Sequence, residues 1–299
     1  MFLALAATLL AALGVSLLMS AVLDRFVAGT RGDSSALADV PSDPLVVGVG
    51  RVPGGPAEWD AFMTAFARLE NDLDRPVVVR LLSEDSSVAE GFAEQEFDIA
   101  LVSVSKYLRL EKEGKAVLVA SPVIAGDPDN CAMLVVRSDS EFTDVEELRG
   151  ARAAIMADSL AGEGFARRLL EERGETAESF FGSVVVTDSQ YESLELVARG
   201  LADAAFVPRW NLFGWSEETF RSLVQSPAFA MPPVVARSTL DEASVDRIRE
   251  SLTSQETASA LPAARALDGF VVVTDQDFAF ARVLSAARAS SQLPQGGAQ

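Results

Sequence analysis

The side chains that could do chemistry in this chain are few, and two of them lie five residues apart. Asp158 and Glu163 bracket Ser159-Leu160-Ala161-Gly162, and Gly164-Phe165 follow at the start of a helical pattern. Two carboxylates alone are too little to name a reaction. The 299 residues contain no histidine and one cysteine, Cys131. Serine or cysteine nucleophiles that need an imidazole base are excluded, as are zinc sites built on imidazoles or several thiolates. Cys131 opens the apolar run CAMLVV and reads as a buried structural thiol. The chain is therefore read as a non-enzyme, with no cofactor and no metal.

The remaining candidates suit the holding of a solute. Arg51 and Arg209 each follow an apolar strand-like run and carry a planar fork that can grip a carboxylate or phosphate. Trp210 adds aromatic surface beside Arg209, and Tyr107 adds a phenol. Ser103 also sits just after a strand-like run. Each has a plain alternative. Asp85, Asp158 and Ser159 suit helix caps, and Glu163 in a first helical turn is stabilised by the helix dipole by ~0.3–1 kcal/mol. The net charge of -19 argues against nucleic acid and against adsorption to an anionic membrane.

The elements that must position these residues alternate. Leu45-Val49 reads as a buried strand, Ala57 to Leu73 as an amphipathic helix, Val77-Leu82 as a strand, Ser87-Glu94 as a helix and Asp98-Val102 as a strand. This β-α-β-α-β order predicts an open parallel sheet, with the loops after its strands gathered on one edge. A second unit follows: strand 132–137, a helix over Thr143–Leu148 closed by Gly150, strand 153–156, helix 164–173, strand 183–187, helix 191–199 and strand 204–207. A last section holds strand 233–236, helix 241–252, a short apolar run at 270–273 and a helix at 277–285.

From Met1 to Leu23 no side chain is charged, long enough to cross a ~30 Å hydrocarbon layer as a helix. Residues 1–26 therefore read as a membrane anchor or a signal peptide, with Val27-Ala28-Gly29 as a cleavage site in the second case. Either places the rest outside the cytoplasm, in the periplasm or at the cell surface. Residues 27–43 read as a flexible linker.

Several stretches in this order resemble the phosphonate/phosphite family of periplasmic ABC-transporter substrate-binding proteins. They are Phe97-Asp98-Ile99-Ala100 with Tyr107, Leu134 to Ser140, Val145 to Gly150, Phe180-Phe181-Gly182, Leu196 to Gly200 with Asp203-Ala204-Ala205, and Gly269 to Asp275. The resemblance implies a type II periplasmic binding protein: an α/β fold of two Rossmann-like lobes joined by two crossover strands, preceded by an N-terminal hydrophobic helix. On that template lobe 1 takes 44–124 and 228–299, lobe 2 takes 125–227, and the crossovers fall near 121–130 and 225–233. A small ligand, phosphonate-like or zwitterionic, would lie in the cleft and pass to an ABC permease. A sensor or scaffold that keeps the binding fold without transport is the alternative. Where the family has a Ser-Thr-Ser-Gly cradle for phosphonate oxygens, Ala161-Gly162-Glu163 stand here; the resemblance also sets Gln190 at a histidine position and Asp85 at an aromatic one, and keeps Tyr107 for the cleft wall. Two unit charges 4 Å apart repel by ~4 kcal/mol at intermediate dielectric, so Glu163 opposes a phosphonate there.

Overall fold

The computed structural model describes residues 44–50, 58–82, 85–216, 218–263 and 266–289. The apolar N-terminal segment and Arg51 lie outside the described residues.

The first sheet grows from the expected alternation. β1 (Leu45–Val49), α1 (Trp59–Leu73), β2 (Val77–Leu81), α2 (Asp85–Ala93) and β3 (Ile99–Leu101) form its parallel part, with β1 between β3 and β2. Side-chain alternation decides which face each residue covers. Leu45, Val47 and Val49 enter one core cluster with Phe62, Phe66 and Leu69 of α1, while Val46 packs on another cluster. The chain continues through α3 (Val104–Lys112), the nine-residue β4 (Ala116–Ile124) and the short β5 (Asp129–Asn130).

The second sheet is built from β6 (Ala132–Arg137), β7 (Arg152–Met156), α4 (Phe165–Glu171), α5 (Ala177–Phe180), β8 (Ser183–Thr187), α6 (Gln190–Ala198), β9 (Ala204–Pro208) and β10 (Phe220–Gln225). Its strand order is β10-β6-β9-β7-β8. Alternation is clear in β6: Ala132, Leu134 and Val136 face one core, and Met133 and Val135, with Cys131 just before the strand, face another. The chain returns through β11 (Phe229–Ala230), which pairs with β5 through Phe229 and Asn130. It then adds β12 (Val234–Arg237) and, after α7 (Glu242–Thr253) and α8 (Gln255–Ala260), β13 (Leu267–Val271) to the first sheet. That sheet has the order β13-β4-β12-β3-β1-β2. The fold is thus the expected two-sheet α/β fold, and the two connecting segments pair with each other between the sheets. The last helix, α9 (Ala279–Ala289), packs on α4 and on the turn before it, so it reaches the second sheet although β13 belongs to the first.

Three local readings differ from expectation. Thr143–Leu148 forms only a 3₁₀ turn at Glu146–Leu148. The Glu147 carboxylate folds back to accept the N–H groups of Thr143 and Asp144 at 2.6 and 3.3 Å, and Asp144 accepts the Glu146 N–H, so side chains satisfy the donors that a longer helix would use. The helix expected from Gly164 begins at Phe165, behind a π turn at Leu160–Gly164. Two close approaches hold that turn: a Cβ on Gly162 would lie 2.7 Å from the Met156 carbonyl oxygen, and one on Gly164 would lie 2.9 Å from that of Leu284. β4 and β10 were not anticipated. Pro122 and Ser121 interrupt the apolar pattern of β4, yet Pro122 is accommodated opposite Phe270 in the antiparallel ladder with β13.

Candidate functional site

In each sheet the parallel strands run outward from a central one, β1 in the first and β7 in the second. Ligand crevices in open α/β sheets form beyond the carboxyl ends of strands at such switch points. The second sheet brings three expected residues to that edge: Ser159 after β7, Gln190 after β8 and Arg209 after β9. The first brings Ser103 after β3 and the α2 start at Asp85, whose side chain lies outside the described residues.

The turn after β7 is closed by its own side chains. Ser159 is the N-cap of the π turn, and its hydroxyl oxygen accepts the Gly162 N–H at 3.1 Å. The same oxygen accepts Gln190 Nε2 at 2.5 Å, which joins the β7 and β8 loops. Gln190 is 7% exposed, and its Oε1 is buried without a hydrogen-bond partner. Glu163 is 8% exposed. Its Oε2 accepts the Asp158 N–H at 3.1 Å, and its Oε1 accepts from Arg167 at 3.2 Å, one helical turn on. The carboxylate is therefore neutralised and hydrogen-bonded to backbone at the place where the resemblance expects a phosphonate.

Asp158 takes the left-handed conformation, φ 55°, and its side chain stays largely exposed between two cations. Lys106 of α3 lies 3.5 Å from Oδ2, and Arg288 of α9 bonds Oδ1. Arg209 is also engaged: its guanidinium donates to Asp127 at 2.6 Å and to the Asp129 carbonyl, beside β5. Trp210 is half-buried and packs against the first sheet's core. Ser103 caps α3 by position, with its hydroxyl 3.2 Å from that of Ser105.

Tyr107 is 1% exposed and lies within the core. Its hydroxyl donates to Asp275 Oδ1 at 2.6 Å, and its ring sits 4.8 Å from that of Phe278. Burial, followed by the hydrogen bond to Asp275, pushes the phenol well above its ordinary range, so it remains a donor. Burial likewise pushes up the Cys131 thiol, which is free and buried. Neither group is an activated nucleophile. Among the described residues no cluster of acids and cysteines could hold a metal ion, and no helix is long and apolar enough to cross a membrane.

The family model for ABC transporter, phosphonate, periplasmic substrate-binding protein matches residues 57–278. The chain belongs to this phosphonate-binding family. Members of the family are periplasmic substrate-binding components of ABC transporters, a class that is generally non-enzymatic. Similar solved structures carry the same fold. PhnD1 from Prochlorococcus marinus, in complex with methylphosphonate, superposes with a TM-score of 0.67 at 14% identity, over 83% of this chain and 100% of that one. A binding protein component of an ABC phosphonate transporter from Pseudomonas aeruginosa gives 0.65 at 14%, over 85% and 91%. XAC2383 from Xanthomonas citri, bound to ATP, gives 0.62 at 16%, over 82% and 96%. No curated protein matches the sequence.

Sequence reasoning found Ser159, Glu163 and Gln190 but not their mutual engagement. The Glu163–Arg167 spacing of four was legible as a helical ion pair. The approach of Arg288 and Leu284 was not, because it spans more than a hundred residues.

Glu163→Ala leaves the part-buried Asp158 N–H without its acceptor and is expected to lose roughly 1–3 kcal/mol in urea melts. Glu163→Gln, which retains an acceptor for the Asp158 N–H, should lose less than half as much. Equal losses in the two variants would contradict the assigned role of that acceptor.

Proposed function

We propose that this family member is an extracytoplasmic solute-binding protein of a phosphonate/phosphate-type ABC importer whose anion cradle is filled by its own Glu163. The ligand lies in the cleft between lobe 1 (44–124 and 228–299) and lobe 2 (125–227) and passes to an ABC permease. One observation carries the reading: the Asp158 N–H is accepted by Glu163, and the Ser159 hydroxyl oxygen is accepting from Gly162 and Gln190. A phosphonate dianion would have to displace a neutralised carboxylate from a buried turn and would then meet its charge. The preferred ligand is therefore a small solute recognised by the amide of Gln190 and by groups of the first lobe, with Arg51 and Asp85 as its candidates, rather than a simple phosphonate. Phosphonate binding by PhnD1 of Prochlorococcus marinus does not carry over at this turn.

A ligand that binds only the native state raises stability by about 2.7 kcal/mol at a hundred times its Kd, a shift of several degrees. Thermal-shift screening of the full-length protein against phosphonates, phosphate, sulfonates, amines and vitamins is expected to give such a shift with a compound other than methylphosphonate or phosphate. Glu163→Ser is expected to gain a shift with methylphosphonate. Tight binding of methylphosphonate by the unaltered protein would overturn the reading.

The apolar run 1–23 is proposed to tether the protein to the membrane rather than to be removed. N-terminal sequencing of the protein recovered from membranes is expected to begin at or next to Met1. A start at or just after Val27-Ala28-Gly29 would identify a cleaved signal.

A further inference from the structure

The last helix is fastened to both lobes. On the first-lobe side, Phe278 packs on Tyr107, the Tyr107 hydroxyl donates to Asp275, and Arg282 donates to Glu111 at 3.0 Å and to Asp275 at 3.2 Å. Tyr107 and Glu111 both belong to α3. On the second-lobe side, α9 lies over the π turn and α4. Leu284 is fully buried there, and its backbone approaches Gly164 so closely that a Cβ would lie 2.9 Å from the Leu284 carbonyl oxygen and 3.4 Å from its Cβ. Asp158 then ties three elements at one point, because it faces Lys106 of α3 and Arg288 of α9 from the loop after β7. Phe278, Ala281 and Leu284 are fully buried in one cluster that holds Tyr107 and Leu108 of the first lobe with Ala161, Phe165 and Ala166 of the second.

We infer that α9 is a clasp that holds the two lobes closed in the absence of ligand, with Tyr107–Asp275 as its anchor and Gly164 and Asp158 as its catch. The inference rests on the two-lobed binding reading above. Hinged clefts open by rotating one lobe from the other about a few connecting residues. α9 can follow only one lobe in that motion. If it follows the first, Leu284 must leave Gly164 and Arg288 must leave Asp158. If it follows the second, Phe278 must leave Tyr107. Each route exposes side chains that are fully buried when the lobes are closed, so opening requires α9 to release first. Ligand entry is thereby coupled to release of a C-terminal helix.

The lobe separation can be read without any ligand. Spin labels at Glu94→Cys, at the end of α2, and Arg199→Cys, at the end of α6, report it in the full-length protein, since both positions are exposed and Cys131 is buried. Pulsed dipolar spectroscopy of the otherwise unaltered, ligand-free chain is expected to give one short, narrow distance population. Gly164→Val, whose side chain would drive α9 from the turn, is expected to move most molecules to a second, longer distance. Should Gly164→Val fail to fold, Leu284→Ala, which removes a fully buried side chain of α9 from the seam, is expected to raise the longer population several-fold from its basal level. A broad or long distribution in the parent chain, or distributions unchanged in the folded variants, would overturn the clasp. Failure of every solute to bind would count against the proposed function while leaving this distance measurement intact.

Discussion

The Glu163 carboxylate turns back in the first turn after β7 to accept the Asp158 N–H, and the loop between β7 and α4 is arranged around that contact. It fixes Asp158 in a left-handed conformation, which sends the Asp158 side chain outward to Lys106 and Arg288. It draws Arg167 into a buried ion pair. It also holds the wide π turn whose two glycines admit the Met156 carbonyl on one side and the Leu284 carbonyl on the other. An isolated carboxylate would be expensive at this depth. The hydrogen bond and the guanidinium make it tolerable.

The same turn is where the two lobes meet α9. A single apolar cluster runs from α2 and α3 through Phe278, Ala281 and Leu284 into Phe165, Phe180 and Phe206. In a binding protein that opens freely, an apolar seam between lobes would be a liability, since opening would wet it. Here it is sealed by a helix, and polar contacts sit at its rim: Arg282 with Glu111, and Arg288 with Asp158. Exposed ion pairs of this kind contribute little each, about 0–1 kcal/mol. Register therefore comes from the rim and most of the stabilisation from the seam.

Much of this was legible in the sequence. Short apolar runs marked β1 and β6 as buried strands, and the repeated strand–helix order announced an α/β fold with its loops on one edge. Glu163 and Gln190 were marked by the family positions with which the resemblance aligns them, and Ser159 lies beside them. What the pattern did not reveal was pairing across distance. Tyr107 read as part of the cleft wall because the family resemblance retains it there; its partner Asp275 is 168 residues away and no local spacing points to it. β4 was hidden by Pro122, which is harmless in its actual ladder. The Thr143–Leu148 helix was overcalled because its acids, which look like helix-start residues, instead bond the donors of a tighter turn.

The claim on which the account turns is that the Asp158 N–H belongs to Glu163 and is closed to an outside anion. Amide resonances of ¹⁵N-labelled protein, followed while methylphosphonate is added to millimolar concentration, report on that donor directly. The account predicts that the Asp158 and Gly162 amide signals do not move. A saturating downfield shift of the Asp158 amide on addition of methylphosphonate would contradict it.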